Sequence, residues 1–137
     1  MKGDKSNGEK LFHSRAACFS CHKIGDKGRQ FGPDLTGIGQ KFESSILLDS
    51  MINPSSAIAF GFEGTTIKTK DGKTITGFVV SDSDPLVIKD MNGNQESVEL
   101  KNISERNNMK DSIMPSVKLL GLSAQDVVDI LEYLKNN

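Results

Sequence analysis

Two cysteines and one histidine lie within five consecutive residues near the start of the chain. The segment reads Cys18-Phe19-Ser20-Cys21-His22. A Cys-x-x-Cys pair followed at once by histidine is the spacing of covalent haem attachment. Two thiols on one short turn add to the two vinyl groups of a haem, and the adjacent imidazole reaches the iron. The sequence therefore predicts one haem c per chain, bound covalently through Cys18 and Cys21, with His22 as an iron ligand.

Three other uses of a cysteine pair fit the sequence less well. A thioredoxin-like redox pair belongs next to a βαβ pattern, whereas residues 8–17 read as a helix. A structural zinc site needs four ligands, and the spacing of His13, Cys18, Cys21 and His22 matches no usual finger. A disulfide between residues three apart would close a very small loop and constrain little of the unfolded chain.

Composition limits the size of the protein and the nature of its partners. The 137 residues predict a single domain over residues 1–137, and 36% hydrophobic residues without any Trp is modest for a self-sufficient core. A buried haem would supply the missing apolar bulk. Lys and Arg total 17 against 18 Asp and Glu, which argues against a nucleic acid or a membrane surface as partner.

The first eight residues, MKGDKSNG, have no apolar segment, and no run elsewhere approaches the length of a membrane span. We therefore expect a mature or excised chain without a membrane span. Haem is joined to such motifs after export in bacteria, so we expect a periplasmic or exported protein. The signal peptide that this location implies is not present in this sequence.

Helical periodicity marks both ends of the chain. Ser6 and Glu9 form a capping box at the start of a first helix. Ser123 and Asp126 form another at the start of a last helix, whose apolar residues follow the i, i+3, i+4, i+7 rule. A further helix is predicted over Ser44–Ile52, where Asn53-Pro54 stops it.

Two segments between these helices have other patterns. Residues 25–41 are rich in glycine, which excludes regular structure and suits backbone wrapped closely around a flat ligand. Residues 62–103 carry the period of strands, and Asp71-Gly72 and Asn92-Gly93 are type I′ turn sequences. The sequence therefore predicts two hairpins, whose four short strands form a small antiparallel sheet.

Several of these residues together resemble class I cytochrome c. The shared features are Gly8 and Phe12, Cys18–His22, the Gly32-Pro33-Asp34-Leu35 segment, Met114-Pro115 and Tyr133-Leu134. More narrowly, the chain is similar to the haem-binding domains at the C-terminal ends of large membrane-associated dehydrogenase-like proteins of planctomycetes. The resemblance implies a mainly α fold, a cytochrome c-like helical haem fold with a small antiparallel β insertion over about residues 62–103 before the Met-ligand loop.

The resemblance also assigns roles to single residues. His22 would be the proximal iron ligand, and its other ring nitrogen would donate to the backbone carbonyl of Pro33, a bond that fixes the ring orientation. Gly8 would let the first and last helices cross closely, with Phe12 and Tyr133 packed at the crossing.

The sixth iron ligand implied by the resemblance is Met114. Met109 is the runner-up, because it lies five residues earlier in the same irregular stretch, while Met51 fits a helix face and Met91 a strand. His13, the only spare histidine, is expected on the surface or at the haem edge. Ligation by His and Met raises the reduction potential relative to ligation by two histidines, and it closes the iron to other ligands.

The function that follows is electron transfer through transient contacts with redox partner proteins, without enzyme activity. The carrier is either free or a module fused to a dehydrogenase domain. A basic group around the attachment motif could steer an acidic partner: Lys10, Arg15, Lys23, Lys27 and Arg29. The alternative is a haem-based sensor or ligand-binding module with a labile sixth ligand. A peroxidase would need distal acid and base groups, for which the sequence shows no convincing pair.

Overall fold

The structure, a computed structural model, describes all 137 residues. The chain forms two compact units. Met1–Ala57 and Met114–Asn137 make up the helical unit, and Ile58–Ile113 make up the sheet unit. The sheet unit is therefore an insertion between two parts of the helical unit, and Met114 is the first residue after it. The prediction of one domain over residues 1–137 is not tested by this division and stays a prediction.

The helical unit contains three α-helices and one very short antiparallel strand pair. In chain order these are α1 (Lys5–Phe12), β1 (Lys23–Ile24), β2 (Lys27–Gly28), α2 (Ser44–Ile52) and α3 (Ala124–Lys135). Three 3₁₀ turns, Cys18–Ser20, Ile38–Gln40 and Val117–Leu120, connect them. None of the helices has the length and apolar character needed to cross a membrane. The unit has a single core of buried residues: Leu11, Phe12, Ala16, Ile38, Leu47, Met51, Val117, Val127, Ile130, Tyr133 and Leu134.

Helices α1 and α3 cross in close contact because α1 carries a glycine at the crossing point. A Cβ atom added to Gly8 would overlap the backbone carbonyl oxygen of Asp129 in α3. Beside this contact the rings of Phe12 and Tyr133 meet edge to face, with 5.5 Å between their centroids. The expected roles of Gly8, Phe12 and Tyr133 at the crossing are thus confirmed.

A buried carboxylate of α3, that of Asp129, binds the N-terminus of α1. The side chain of Asp129 accepts hydrogen bonds from Asp4 N at 2.8 Å, Asn7 Nδ2 at 2.7 Å and Gln125 Nε2 at 2.7 Å. Only 3% of the residue is exposed. The hydrogen bond from Asn7, followed by those from Asp4 and Gln125, lowers the pKa of Asp129. The carboxylate is therefore charged at neutral pH and satisfied by neutral donors.

The sheet unit is a five-stranded antiparallel sheet around its own small core. Its strands are β3 (Thr65–Thr69), β4 (Thr74–Ser81), β5 (Leu86–Asp90), β6 (Gln95–Val98) and β7 (Ile103–Asn108). They lie in the order β6-β5-β4-β3-β7. Alternate residues of the strands point inward and are buried together: Ile67, Ile75, Leu86, Ile88 and Val98.

The connection between β6 and β7 requires this sheet to curl. The two strands lie at opposite edges of the sheet but are joined only by residues 99–102, which include the 3₁₀ turn Leu100–Asn102. In a flat sheet the outer strands would be about 19 Å apart, at about 4.8 Å per strand gap. Residues in a 3₁₀ turn rise only about 2 Å each. The chain cannot span the flat distance, so the sheet bends toward a small barrel.

The prediction of a mainly α fold with a small β insertion is wrong. Helical residues account for 31% of the chain and strand residues for 23%, and the sheet has five strands rather than four. The missed strand is β7, whose sequence Ile-Ser-Glu-Arg-Asn-Asn has no apolar alternation because almost all its side chains are exposed. The chain is a mixed α and β protein.

Most element boundaries outside β7 agree with expectation, with one clear exception. Helix α2 has the predicted ends, both hairpins are present, and the Ser123–Asp126 capping box is formed. The first helix differs, because its N-cap is Asp4, which accepts from Asn7 N. The predicted Ser6–Glu9 box is therefore wrong. This helix also ends at Phe12 rather than continuing to residue 17.

Replacing Gly8 with alanine should lower the free energy of unfolding by about 2–3 kcal/mol, because its Cβ meets backbone that cannot move aside. Chemical denaturation followed by circular dichroism measures the change. Ser6→Ala is the control, since Ser6 lies in the same helix and is exposed. Equal stability of the two variants would contradict the close crossing.

Asp129→Asn should reduce the dependence of stability on acid pH. A lowered pKa in the folded state means that the ionised carboxylate adds stability above its unfolded pKa, about 3.9, and loses it as pH falls through the folded value. Thermal unfolding of both proteins is measured from pH 7 to pH 2.5. Wild type should be more stable than Asp129→Asn at pH 7, and the difference in unfolding temperature should become smaller below about pH 4. A gap independent of pH would rule out this role.

Candidate functional site

The attachment motif lies on one tight turn that begins just after α1. The backbone N–H groups of Cys21 and His22 both donate to the carbonyl of Cys18, at 3.1 and 2.9 Å. Ala17 precedes the turn in the left-handed region, with φ of 53°, and is the one non-glycine residue with positive φ. The turn brings the three predicted site residues Cys18, Cys21 and His22 into a single short segment.

The imidazole of His22 is held in one tautomer by the chain itself. Its Nδ1 lies 2.8 Å from the carbonyl oxygen of Pro33, the hydrogen bond that was expected. A carbonyl only accepts, so Nδ1 carries the hydrogen, and the lone pair of the neutral ring is on Nε2. Burial lowers the pKa of His22, and the bond to Pro33 opposes this effect. His22, 9% exposed, therefore offers a neutral Nε2, the form in which histidine binds metals.

The loop over residues 28–33 fits closely around this histidine because two of its residues are glycine. A Cβ on Gly28 would overlap the carbonyl oxygen of His22. One on Gly32 would lie 3.0 Å from Cε1 and 3.2 Å from Nδ1 of the same ring. Phe31 N and Gly32 N donate to the carbonyl of Cys21, at 3.2 and 2.6 Å. The glycine-rich segment thus lies closely against the histidine. The predicted wrapping of a flat ligand is not tested by these contacts and stays a prediction.

The two cysteines are free thiols, partly buried, whose pKa values lie above that of an exposed thiol. They are not joined by a disulfide. Burial raises the pKa of Cys18 to about 11 and also raises the pKa of Cys21, where Arg29 acts in the opposite direction. Metal binding and disulfide exchange need a thiolate. No cluster of three His, Cys, Asp or Glu residues suited to a metal ion occurs either, so nothing in the structure favours the zinc and redox alternatives.

The donor set fits a covalently bound haem. Cys18 and Cys21 supply two free thiols on one turn, and His22 supplies a neutral nitrogen whose orientation is fixed by Pro33. The tight packing of Gly32 against the ring leaves the imidazole little freedom to rotate. These are the requirements for two thioether bonds and one proximal iron ligand.

The methionines differ in their burial and in the residues that they contact. Met51 is buried in the core of the helical unit, and Met91 is 51% exposed beside a hairpin turn of the sheet unit. The sulfur of Met109 packs over Gly64, where an added Cβ would lie 2.7 Å from Sδ. Met114 is half-buried in the irregular segment before α3. The structure thus gives Met51 and Met109 packing roles within their own units.

His13 is half-buried beside Phe19 of the attachment motif, and its expected position on the surface or at the haem edge stays a prediction. Its ring lies among three aromatic side chains, with centroid distances of 5.1 Å to Phe12, 5.9 Å to Phe19 and 6.3 Å to Tyr133. Its Nδ1 is 2.9 Å from the carbonyl of Glu9, and its Nε2 is buried without a hydrogen-bond partner. The useful signal was its place next to Phe12, near the inward face of α1.

Most of the basic side chains around the motif form no ion pair with an acidic residue. Arg15 forms an ion pair with Asp126, at 2.6 Å. The other four members, Lys10, Lys23, Lys27 and Arg29, have no ion pair. These four side chains can therefore attract an acidic surface, and added salt would weaken that attraction.

Two cavities of the protein lie away from the attachment motif. One, of about 650 Å³, lies in the sheet unit between the β3–β4 turn and β6. The other, of about 380 Å³, lies in the helical unit between α2 and the start of α3 and is mainly apolar. Cys18, Cys21 and His22 line neither of them.

A family model described as Cytochrome c matches residues 6–85, more than half of the chain. The match contains the attachment motif and the loop that wraps His22, and it ends before Met114. No curated protein matches the chain.

Gly32→Ala should disturb the hydrogen bond between His22 and Pro33, because the new methyl group presses on Cε1 and Nδ1 of the ring. We expect a loss of about 1–2 kcal/mol in stability and a shift of the His22 ring nitrogen resonances in ¹⁵N NMR. Gly25→Ala is the matched control, since Gly25 has positive φ but no atom within 4 Å of the added Cβ. It should destabilise through backbone strain and leave those resonances unchanged. Identical spectra for the two variants would contradict the contact.

Proposed function

The chain belongs to the cytochrome c family, and from this premise we propose that it carries electrons on one haem c attached to Cys18 and Cys21 and ligated by His22 and Met114. Proteins of this family bind haem covalently and serve in electron transport. The bound haem supplies an iron that changes its charge by one electron. The protein's part is to hold that group in a low dielectric and to tune it through the axial ligands.

The observation that carries the proposal is the hydrogen bond from His22 Nδ1 to the Pro33 carbonyl. A bond of this kind fixes the tautomer and increases the basicity of a ligating imidazole.

The proposed sixth ligand, Met114, is supported by the positions of the alternatives. Met51 is part of the helical core, and Met109 covers Gly64 within the sheet unit. Met114 precedes Pro115 in the short segment between the sheet unit and α3. Ligation by His and Met would raise the reduction potential relative to two histidines and leave no open iron position.

We propose a carrier rather than an enzyme. The remaining histidine, His13, is packed among aromatic rings with its Nδ1 engaged by Glu9, so it is poorly suited to a distal acid or base. Redox partners would dock transiently, and Lys23, Lys27 and Arg29 would steer an acidic surface toward the motif.

The finer placement of the protein rests on the sequence resemblance alone. The similarity to planctomycete dehydrogenase-like proteins suggests that the electrons come from a dehydrogenase, either fused to this chain or separate. Covalent haem attachment in bacteria follows export, and we therefore propose a periplasmic location. Both proposals are tested by examining the gene and its product in the source cells.

The test of the ligand set is the absorption spectrum of the haem-loaded protein. Wild type should show a low-spin c-type spectrum, with the weak far-red band of Met-ligated ferric iron, and Met114→Ala should lose that band and fall in reduction potential. Met109→Leu is the matched control, because it keeps the volume that covers Gly64 and should retain the band.

Three outcomes would overturn parts of this proposal. Loss of the band in Met109→Leu but not in Met114→Ala would move the sixth ligand to Met109. A high-spin wild-type spectrum that changes readily with carbon monoxide would favour the sensor alternative over the carrier. Absence of haem from protein expressed with the attachment machinery would refute covalent binding through Cys18 and Cys21.

A further inference from the structure

The dipeptide Asn-Gly occurs twice in the chain, as Asn7-Gly8 and as Asn92-Gly93. The backbone nitrogen of a glycine can lose its proton and attack the side-chain carbonyl carbon of the asparagine before it, because glycine has no side chain to hinder the approach. A new C–N bond forms, the bond from that carbon to the side-chain nitrogen breaks, and ammonia leaves. Water then opens the cyclic imide to aspartate or isoaspartate. Each dipeptide is therefore a candidate site of deamidation, which takes up water and releases ammonia.

The first of these dipeptides lies inside helix α1. The Gly8 N–H donates to the carbonyl of Asp4 at 2.9 Å, the hydrogen bond that an α-helix makes. In this geometry the N–H points along the helix axis and not toward the side chain of Asn7. Attack by Gly8 N on Asn7 Cγ therefore requires the first turn of α1 to open.

Contacts with α3, in the same helical unit, hold this turn closed. Asn7 Nδ2, the nitrogen that would leave as ammonia, donates to Asp129 Oδ2 at 2.7 Å. Gly8 is buried, and a Cβ added to it would overlap the carbonyl oxygen of Asp129. The turn cannot open while α3 lies this close. The crossing of the two helices thus protects Asn7 from deamidation.

The second dipeptide has weaker protection, because it lies in the turn between β5 and β6. Asn92 is exposed, and Gly93 N donates to the carbonyl of Asp90 at 2.9 Å within the turn itself. Only this local turn has to distort before Gly93 N can reach Asn92 Cγ. Exposed turns open at a lower free energy than elements packed in a core. We therefore expect Asn92 to react first.

We propose that Asn92 is the asparagine that deamidates in the folded protein, and that Asn7 is a second deamidation site, which the crossing of α1 and α3 keeps closed. The two sites have the same reacting groups, so the ratio of their rates measures the opening of α1 relative to the opening of the turn. Neither assignment depends on the iron ligands proposed above.

Reaction at Asn7 would make the opening of α1 irreversible. An aspartate at position 7 has no N–H to donate, and it brings a second carboxylate to the place of the hydrogen bond with Asp129. Two carboxylates at that distance repel each other. The hydrogen bond from Asn7 is also the first cause of the lowered pKa of Asp129, so its loss weakens the remaining contact. Helix α1, which leads into the turn of the attachment motif, then does not return to its place on α3.

The experiment compares the two asparagines in one sample. The haem-loaded protein is incubated at mildly alkaline pH, and peptide mapping by mass spectrometry measures deamidation at each site. Asn92 should react about tenfold faster than Asn7, which corresponds to about 1.4 kcal/mol in opening free energy. In denaturant both should react at similar rates. Equal rates in the folded protein would refute the protection of Asn7. An Asn92 that stays intact while denatured protein reacts would refute its assignment.

Asp129→Asn tests whether the contact with α3 protects Asn7. The change removes the carboxylate that accepts from Asn7, so deamidation at Asn7 should become about tenfold faster while the rate at Asn92 stays the same. Glu132→Gln is the matched control, because this carboxylate of α3 accepts from Asn136 Nδ2 at 2.9 Å and not from α1. The same rate at Asn7 in both variants would contradict the protective contact.

Asn7→Asp and Asn92→Asp reproduce the two products and keep the test valid if Asp129→Asn folds poorly. Asn7→Asp should lower the unfolding temperature of the haem-loaded protein, because its carboxylate faces that of Asp129. Asn92→Asp, in an exposed turn, should leave that temperature nearly unchanged. Failure of Asn7→Asp to fold would also support the inference. Equal unfolding temperatures of the two variants would show that α1 tolerates the product, and the irreversible opening would be refuted.

Discussion

The hydrogen bond between the His22 ring and the Pro33 carbonyl is the constraint on which the rest of the candidate site depends. It fixes which ring nitrogen carries the lone pair, and so which edge of the ring can bind a metal. The loop that supplies this carbonyl lies close to His22, because Gly28 leaves room for the His22 backbone carbonyl and Gly32 for the ring. The bond also requires the turn from Cys18 to His22, whose amides close on one carbonyl. A haem protein therefore needs this loop as much as it needs its cysteines.

The frame behind that turn is held by an equally close approach of two helices. Gly8 lets α1 lie against the backbone of α3, and the Asp129 carboxylate satisfies the donors at the start of α1. The aromatic rings of Phe12, His13, Phe19 and Tyr133 fill the space next to the attachment motif. Residues far apart in the chain thus converge on the five-residue motif.

In the chain, the sheet unit is an insertion between two parts of the helical unit, and the two ends of the insertion lie next to each other. Its first and last strands pair directly, and the pairing continues to Gly64 and Met109. An insertion with adjacent ends leaves the host chain free to continue nearly where it stopped. The insertion ends at Ile113, the residue before Met114 in the chain.

Local patterns in the sequence predicted the attachment motif, α2, both hairpins and the capping box of α3, because each depends on residues close together in the chain. Local patterns did not predict β7, a polar edge strand that forms because β3 offers it a pairing partner. The predicted fold class, which had too little strand, was therefore wrong. They also placed the N-cap of α1 at Ser6, although the N-cap is Asp4, in a region whose donors are satisfied by Asp129 more than a hundred residues away. The sequence by itself indicated the chemistry at residues 18–22, since the Cys-x-x-Cys-His spacing is a pattern of neighbouring residues. Tertiary structure alone decided which glycines meet His22 and how the His13 ring meets Tyr133, because each depends on contacts between segments that are apart in the chain and that no local pattern encodes.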